Sequence, residues 1–262
     1  MKNILIKLGG SVITDENYRM SIIKQLVELK KDGFNICIVH GGGKLISHYL
    51  NALNIKSEFH NGLRITSPEA LEVATMVLVG KVNKDIVHDF NKLGVNAIGL
   101  CGGDGKLLTC EKLISPDGAD LGRVGIPVNL NKNLFNKLLD TECALVIATI
   151  GMGPDGYYNI NADHSAAFVA QEASVDHLIF VSDVDGVLNP ADGSVYDSLN
   201  KDNIDTLTSE GIITDGMLPK LNSCLCALDK GVANVTILNG RRDNSIVDAA
   251  TGKELVATRI IK

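Results

Sequence analysis

Six apolar runs recur along the chain: "NILIKL", "NICIVH", "AIGL", "ALVIATI", "HLIFVSD" and "NVTIL". They are rich in β-branched residues and bounded by Gly, Asn or Asp, which predicts strands. Near-continuous apolarity along each run predicts strands covered on both faces, as in a mainly parallel sheet. Between them lie stretches with apolar residues at helical spacing, such as Leu45, Ile46, Tyr49, Leu50 and Leu53, and later Leu221, Cys224, Leu225 and Leu228. Strand and helix alternating in this way predict an open α/β sandwich with helices on both faces of the sheet. A chain of 262 residues is long enough for one large α/β domain or for two lobes that share a sheet.

Several function classes are disfavoured early. The formal net charge is −6, with aromatic residues at 4% and no basic tract, so no nucleic-acid surface is expected. No apolar run approaches the ~20 residues of a membrane span. The opening "MKNILIKLGG" places a lysine and two glycines where a signal peptide would continue its apolar core, so a cytoplasmic protein is expected. Cys37, Cys101, Cys110, Cys143, Cys224 and Cys226 form no CxxC pair, which favours reduced, mostly buried thiols. The histidines are scattered without ligand spacing, and no protein metal site is expected.

One helix differs from the rest. Ser67 is placed to cap it and Pro68 to occupy its first turn, before "ALEVATMVLVGKVNKDIV". Apolar residues at 73, 74, 76, 77, 78 and 79 circle this helix, which predicts burial all round, within the lobe or against a second copy of the chain.

Glycine-rich segments raise the question of phosphate. Four Gly-Lys pairs occur, and none is followed by Ser or Thr, so the P-loop pattern is absent. "GMGPDG", Gly151 to Gly156, matches G-x-G-x-x-G after a strand. A dinucleotide fingerprint must open into a helix, whereas Pro154-Asp155-Gly156 signals a turn and "YYNINA" continues in extended style. "HGGGK" is different, because its glycines join a strand to an amphipathic helix. They either expose amides to an anion at the helix N-terminus or simply make a tight turn.

Two lysines occupy unusual places. Lys7 interrupts a strand that is otherwise Ile, Leu, Ile and Leu and that ends in Gly9-Gly10. A buried charge is costly unless paired, so Lys7 either meets a ligand anion at the sheet's carboxyl edge or snorkels from an edge strand. In "GIITDGMLPKLNS", Asp215-Gly216 reads as a turn and Pro219 as a first-turn residue, which puts Lys220 at a helix N-terminus. The helix dipole disfavours a cation there, and a bound anion would reverse that sign. Lys44 also starts a helix but reads as a solvated surface residue.

Around these lie Asn159, Asn161 and Asp163 at a strand–helix junction, Asp163 serving either as a cap or as a partner for lysines. Asp183 and Asp185 end a strand, where loop capping is the alternative to a ligand role. Arg64, in a polar loop before the long helix, has the planar fork that binds a carboxylate bidentately. No Ser-His-Asp set stands out. Two lysines, an arginine and glycine amides all favour anions. An acceptor carboxylate with a pKa of ~4.3 would be ionised at pH 7 and would need no general base, leaving phosphoryl transfer to positioning and charge neutralisation.

The chain resembles the acetylglutamate kinases of the amino-acid kinase superfamily. The resemblance runs nearly end to end, through "KLGGS", "IVHGGGK", "FHNGLRIT", "MVLVGKVNK", "GLCGGDGKLL", "NINADHSAA", "SDVDGVL", "GIITDGMLPKLNSCLCAL" and the closing "ATRI". It implies ATP-dependent phosphorylation of the side-chain carboxylate of N-acetyl-L-glutamate, early in arginine biosynthesis. By this likeness Lys7 and Lys220 stabilise the transferring phosphoryl group and Asp163 orients them. Gly42 and Gly43 attend the acceptor, Arg64 takes its α-carboxylate, and Asn159 and Asn161 hold the rest of it. Gly9, Gly10, the run Asp183, Val184, Asp185, Gly186, Val187 and Leu188, and the run Ile212, Ile213 and Thr214 would line the nucleotide site. Mg²⁺ would ride on the ATP phosphates.

The fold implied is a three-layer αβα sandwich around a mainly parallel sheet of about eight strands. An acceptor lobe would span residues 1–175 and a nucleotide lobe residues 176–262. The helix at 68–88 is similar to the family's dimer helix, which implies a homodimer. A first strand beginning near Asn3 resembles the arginine-insensitive kind. Ala257 stands where relatives have Gly, a difference expected to affect only local loop geometry.

Overall fold

The computed structural model describes residues 2–213 and 217–262, with the side chain of Ser11 excepted. The Asp215-Gly216 turn and Thr214 therefore lie outside the described residues. Among those described, eight strands form one sheet in the spatial order Ser198–Leu199, Ala257–Ile260, Asn234–Asn239, His177–Ser182, Asn3–Leu8, Asn35–His40, Ala144–Ala148 and Ala97–Cys101. Neighbours run parallel, except that Asn234–Asn239 and Ala257–Ile260 are antiparallel. The αβα sandwich expected from the alternation is the fold observed.

The first strand holds the central position. Asn35–His40, the next strand in the chain, lies on one side of it, and His177–Ser182, from far later, lies on the other. Strand order reverses there, and such a switch point opens a crevice at the carboxyl edge of the sheet. Successive side chains alternate between faces. Ile4, Ile6 and Leu8 join a core that also holds Ile22, Leu26 and Phe90 from the helices Glu16–Lys31 and Asn83–Lys92. Leu5 joins the opposite core, with Ala166, Val169, Leu221 and Cys224 from the helices Ala162–Glu172 and Leu218–Asp229. The same alternation assigns Lys7 to the face of Leu5, where those two helices lie.

A second unit was not predicted from the sequence. Leu108–Lys112, Val124–Leu130, Ile150–Gly153 and Gly156–Ile160 close into a small barrel. "ALVIATI" is thus divided, with Ala144–Ala148 in the main sheet and Ile150 in the barrel. "GMGPDG" is a hairpin, as its turn signal implied, with Met152 opposite Tyr157. Its glycines serve packing: a Cβ at Gly153 would stand 2.5 Å from the Tyr158 ring.

The long helix departs from expectation in two ways. Ser67 caps it, its Oγ accepting from the Ala70 N–H at 3.1 Å, and Pro68 fills the first turn. From Met76 to Val82, however, the helix is π, and the Asn83 N–H reaches back to the Leu78 carbonyl. Val73, Ala74, Val77, Leu78 and Val82 are buried, while Met76 is 61% exposed, so within this chain the helix is not buried all round. The helix Gly43–Ala52 likewise buries a narrower stripe than expected, Ile46 and Leu50, leaving Tyr49 and Leu53 exposed at its outer end.

All six cysteines are free thiols, four of them buried. No helix among the described residues is long and apolar enough to cross a membrane.

Candidate active site

Lys7, next to last in the central strand, is 8% exposed and points to the face where two helices begin. One of them, Ala162–Glu172, starts with Asn161, whose Oδ1 accepts from the N–H groups of Asp163 and His164 at 2.9 and 3.2 Å. Asn161 is therefore the cap, which leaves the Asp163 carboxylate free to face the lysines. The other, Leu218–Asp229, has Pro219 in its first turn and Lys220 immediately after it. Lys7 Nζ lies 2.7 Å from Asp163 Oδ1, and Lys220 Nζ lies 3.2 Å from both oxygens of the same carboxylate.

All three side chains are nearly buried, at 10%, 15% and 12% exposure for Lys7, Asp163 and Lys220. Burial would raise the pKa of Asp163, but the adjacent Lys7 and Lys220 charges outweigh it and hold the carboxyl at about 2. Burial, and next the Lys7 charge, lower the pKa of Lys220, with Asp163 opposing both. Two cations on one carboxylate leave a surplus positive charge at the N-termini of two helices, where dipoles add to the attraction for anions. The site is built to receive negative charge.

Lys7 also lines a cavity of about 190 Å³ with Gly9, Gly10, Gly42, Gly43, Arg64, Asn159 and Asn161. These are residues from four separated segments, and the fold brings them together at the carboxyl edge of the central strand. A Cβ at Gly9 would stand 3.8 Å from Lys7 Nζ, and one at Gly42 would meet Leu78 Cδ2 at 2.7 Å. Asn159 donates to Thr66 Oγ1 at 3.3 Å.

Arg64 is not in a loop as the sequence suggested. Asn61-Gly62, with φ of 47° and 77°, makes the tight turn of a hairpin between Glu58–His60 and Leu63–Ile65. Arg64 sits on the second arm, 6% exposed. Its guanidinium donates to Ser57 Oγ, to the Gly43 carbonyl at 2.8 Å and to Ser47 Oγ at 2.9 Å, and lies 4.6 Å from the centre of the Phe59 ring. Burial lowers its pKa. All of these partners are neutral, so a buried positive charge faces the cavity without a counter-ion among the described residues.

The segments expected around a nucleotide lie across the switch point, after the strand His177–Ser182. Asp183, Val184 and Leu188 are exposed. Asp185 is held by Arg242 at 2.6 and 2.8 Å and by Asn239 at 2.9 Å, with Arg242 the first cause of a pKa near 2. Val187 and Ile213 are buried in the core, Ile212 packs against it, and the Val187 N–H donates to Thr258 Oγ1 at 2.8 Å. Gly186, at φ 151°, lies against Thr258, where a Cβ would meet the hydroxyl at 2.5 Å. Among the described residues of these segments, Asp183, Val184 and Leu188 are the exposed ones, with Asp183 Oδ1 accepting from Ser182 Oγ at 3.5 Å.

Three further groups, not expected from the sequence, support the segments on either side of the central strand. Ser47, Ser57 and Phe59 hold the arginine in place. Arg242 fixes the loop after His177–Ser182. His40 and Asn83 form a buried polar pair beneath the glycines, their ring and amide nitrogens 3.2 Å apart. Like Lys7, His40 is a polar residue within an apolar strand, and that signal was available.

Residues 2–239 match the family model described as the amino acid kinase family. The chain belongs to the amino acid kinase family. That match takes in Lys7, Asp163 and Lys220 and leaves outside it only the last helix and the strand at 257–260. Among relatives in the family, the chain is 42% identical to the acetylglutamate kinase of Hydrogenobaculum sp. over 99% of its own length and 91% of the relative's. It is 43% identical to the acetylglutamate kinase of Kosmotoga olearia with the same coverage. A solved structure of N-acetylglutamate synthase from Neisseria gonorrhoeae, complexed with coenzyme A and N-acetyl-glutamate, superposes with a TM-score of 0.88 at 21% identity. It covers the whole of this chain and 59% of that one, a likeness of fold.

Proposed function

We propose that this amino acid kinase transfers the γ-phosphoryl group of ATP to the side-chain carboxylate of N-acetyl-L-glutamate, giving the acyl phosphate and ADP, in arginine biosynthesis. The observation that carries this reading is the convergence of Lys7 and Lys220 on Asp163 at the edge of a cavity that holds the unneutralised Arg64. Arg64 takes the α-carboxylate of the acceptor, Gly42 and Gly43 face its reacting end, and Asn159 and Asn161 border the remainder. ATP lies across the switch point, over Gly9 and Gly10, along Asp183 to Leu188 and beside Ile212 to Thr214. Mg²⁺ enters on its phosphates.

The acceptor carboxylate is already ionised at neutral pH, so the barrier is chiefly the approach of two anions. An acceptor oxygen forms the new bond to γ-phosphorus while the bond from phosphorus to the β,γ-bridging oxygen breaks. Lys7 and Lys220 neutralise charge on the group in flight, and Asp163 keeps their ammonium heads in place. Residues 1–175 form the acceptor lobe and 176–262 the nucleotide lobe. The exposed Met76 supports a homodimer through the helix at 68–88. The cytoplasm, where ATP is available, is the compartment for such an enzyme.

A hydroxamate assay with ATP, Mg²⁺ and hydroxylamine tests the reading directly. Signal with N-acetyl-L-glutamate, and none with glutamate, aspartate or N-acetyl-aminoadipate, is the expected result. Silence with all four from folded, ATP-binding protein would point to a carrier-linked acceptor or to a binding-only protein.

A further inference from the structure

The buried network under the glycine loop has a direction. Lys84 Nζ donates to Asn83 Oδ1 at 3.1 Å and to the Gly99 carbonyl at 3.1 Å. That fixes the amide of Asn83, whose Nδ2 donates to the Val146 carbonyl at 2.9 Å and has His40 Nε2 at 3.2 Å and the Leu100 carbonyl at 3.4 Å within reach of its second hydrogen. With Nε2 the nearer of the two acceptors for that hydrogen, Nε2 carries no proton and the proton of the neutral ring is on Nδ1. Nδ1 lies 3.1 Å from the Gly41 carbonyl, which can only accept. The ring is fully buried, and burial holds its pKa near 4, so it stays neutral at physiological pH. The π turn delivers Asn83 into this position, since the residues beyond it would sit about 100° around the axis if one residue fewer were accommodated.

The consequence lies in the next peptide. In a trans peptide the carbonyl of Gly41 and the N–H of Gly42 point in opposite directions. With the Gly41 carbonyl drawn back to the His40 ring, the Gly42 N–H faces away from that ring, and Gly41, Gly42 and Gly43 all line the cavity. Among the described residues no protein group accepts from this N–H.

We propose that His40 is a positioning residue for phosphoryl transfer: its Nδ1–H, directed by Lys84 and Asn83, holds the Gly41 carbonyl so that the Gly42 amide is aimed at the migrating phosphoryl group. This rests on the placement of Gly42 at the reacting end of the acceptor. The Gly42 amide then acts as a preorganised donor to charge that develops in transfer, and His40 touches neither substrate.

Two near-isosteric variants separate the ring's two contacts. Asn at position 40 can restore the donor at the Nδ1 position, and Gln can restore an acceptor near the Nε2 position. In the hydroxamate assay, kcat of His40→Asn should stay within about threefold of wild type, whereas His40→Gln should fall at least about thirtyfold with both KM values little changed. The reverse order, or equal losses tracking a fall in Tm, would overturn the proposal and leave His40 a structural residue. Lys7→Ala, assayed in parallel, tests the site itself: near-wild-type turnover there would sink the site reading, whatever the His40 variants do. ¹⁵N spectra of histidine-labelled wild-type enzyme give a check that needs no variant. A ring protonated at Nδ1 is expected for His40 at pH 7, and an Nε2-protonated ring would overturn the proposal.

Discussion

Lys7 and Lys220, from the first strand and one of the last helices, converge on a single carboxylate oxygen, Asp163 Oδ1, at 2.7 and 3.2 Å. Two like charges are held together in a nearly dry site by one acid. This arrangement is incomplete without further negative charge, and the carboxyl edge of the sheet is where such charge would arrive.

Removing either lysine should therefore affect transfer more than binding. Lys7→Ala and Lys220→Ala are each expected to lower kcat roughly 10²- to 10³-fold, with ATP affinity changed much less. Turnover with the hydroxamate readout and nucleotide titration measure the two quantities separately. Turnover near wild type in either variant would remove that lysine from its role.

Asp163→Asn should reveal the charge coupling through pH. Burial and Lys7 lower the pKa of Lys220 while Asp163 raises it, so loss of the carboxylate lets it fall further. The alkaline limb of kcat should move to lower pH. A limb that stays in place between pH 6 and 10 would show that Asp163 does not hold the proton of Lys220.

Arg64→Ala should raise the KM for N-acetyl-L-glutamate roughly tenfold to a hundredfold, the range for one lost charge-assisted hydrogen bond. Arg64→Lys should recover little of this, because an ammonium cannot reproduce the planar fork that reaches Ser57, Ser47 and Gly43 together. An unchanged KM in the alanine variant would mean that the hairpin reads something else.

Acid should weaken the fold through its buried histidines, His40 and His177 above all, with His164 also lowered by burial. Burial lowers both His40 and His177 from 6.5 to about 4. Between those values the unfolded chain binds protons that the folded chain refuses, so stability present above about pH 6.5 is lost as pH falls towards 4. Calorimetric Tm should drop from pH 7 to pH 5, and His177→Asn should flatten that slope. A Tm independent of pH over this range would contradict the buried, neutral rings.

The ion pair Arg19–Asp89, 2.6 Å long and at 10% and 5% exposure, ties the helix Glu16–Lys31 to the end of the long helix. Asp89→Ala strands a buried guanidinium, whose Nη1 also supports the Ile13 carbonyl at 3.1 Å. A loss of about 3–5 kcal/mol is expected in denaturant titration. A loss under about 1 kcal/mol would show the pair to be effectively solvated.

The sequence alone determined six of the eight strands of the sheet, and it picked out Lys7, Lys220 and Arg64 as residues that favour anions. Strand runs such as "NILIKL" declare themselves because a strand covered on both faces must be apolar along its whole length, and Lys7 stands out against that background for the same reason. Helix starts at Ser67-Pro68 and Pro219 follow from local backbone chemistry, which needs no distant partner. Only the tertiary structure decided the rest. The small barrel escaped prediction because its short strands, such as Gly156–Ile160, gain their partners only on closure. The Arg64 hairpin was written in Asn61-Gly62, yet the neutral partners that leave its charge unbalanced come from elsewhere in the fold. Whether Asp163 would cap its helix or bind the lysines could not be read from one segment. That choice depends on two ammonium groups delivered from opposite ends of the chain, and on Asn161 having already satisfied the helix N-terminus.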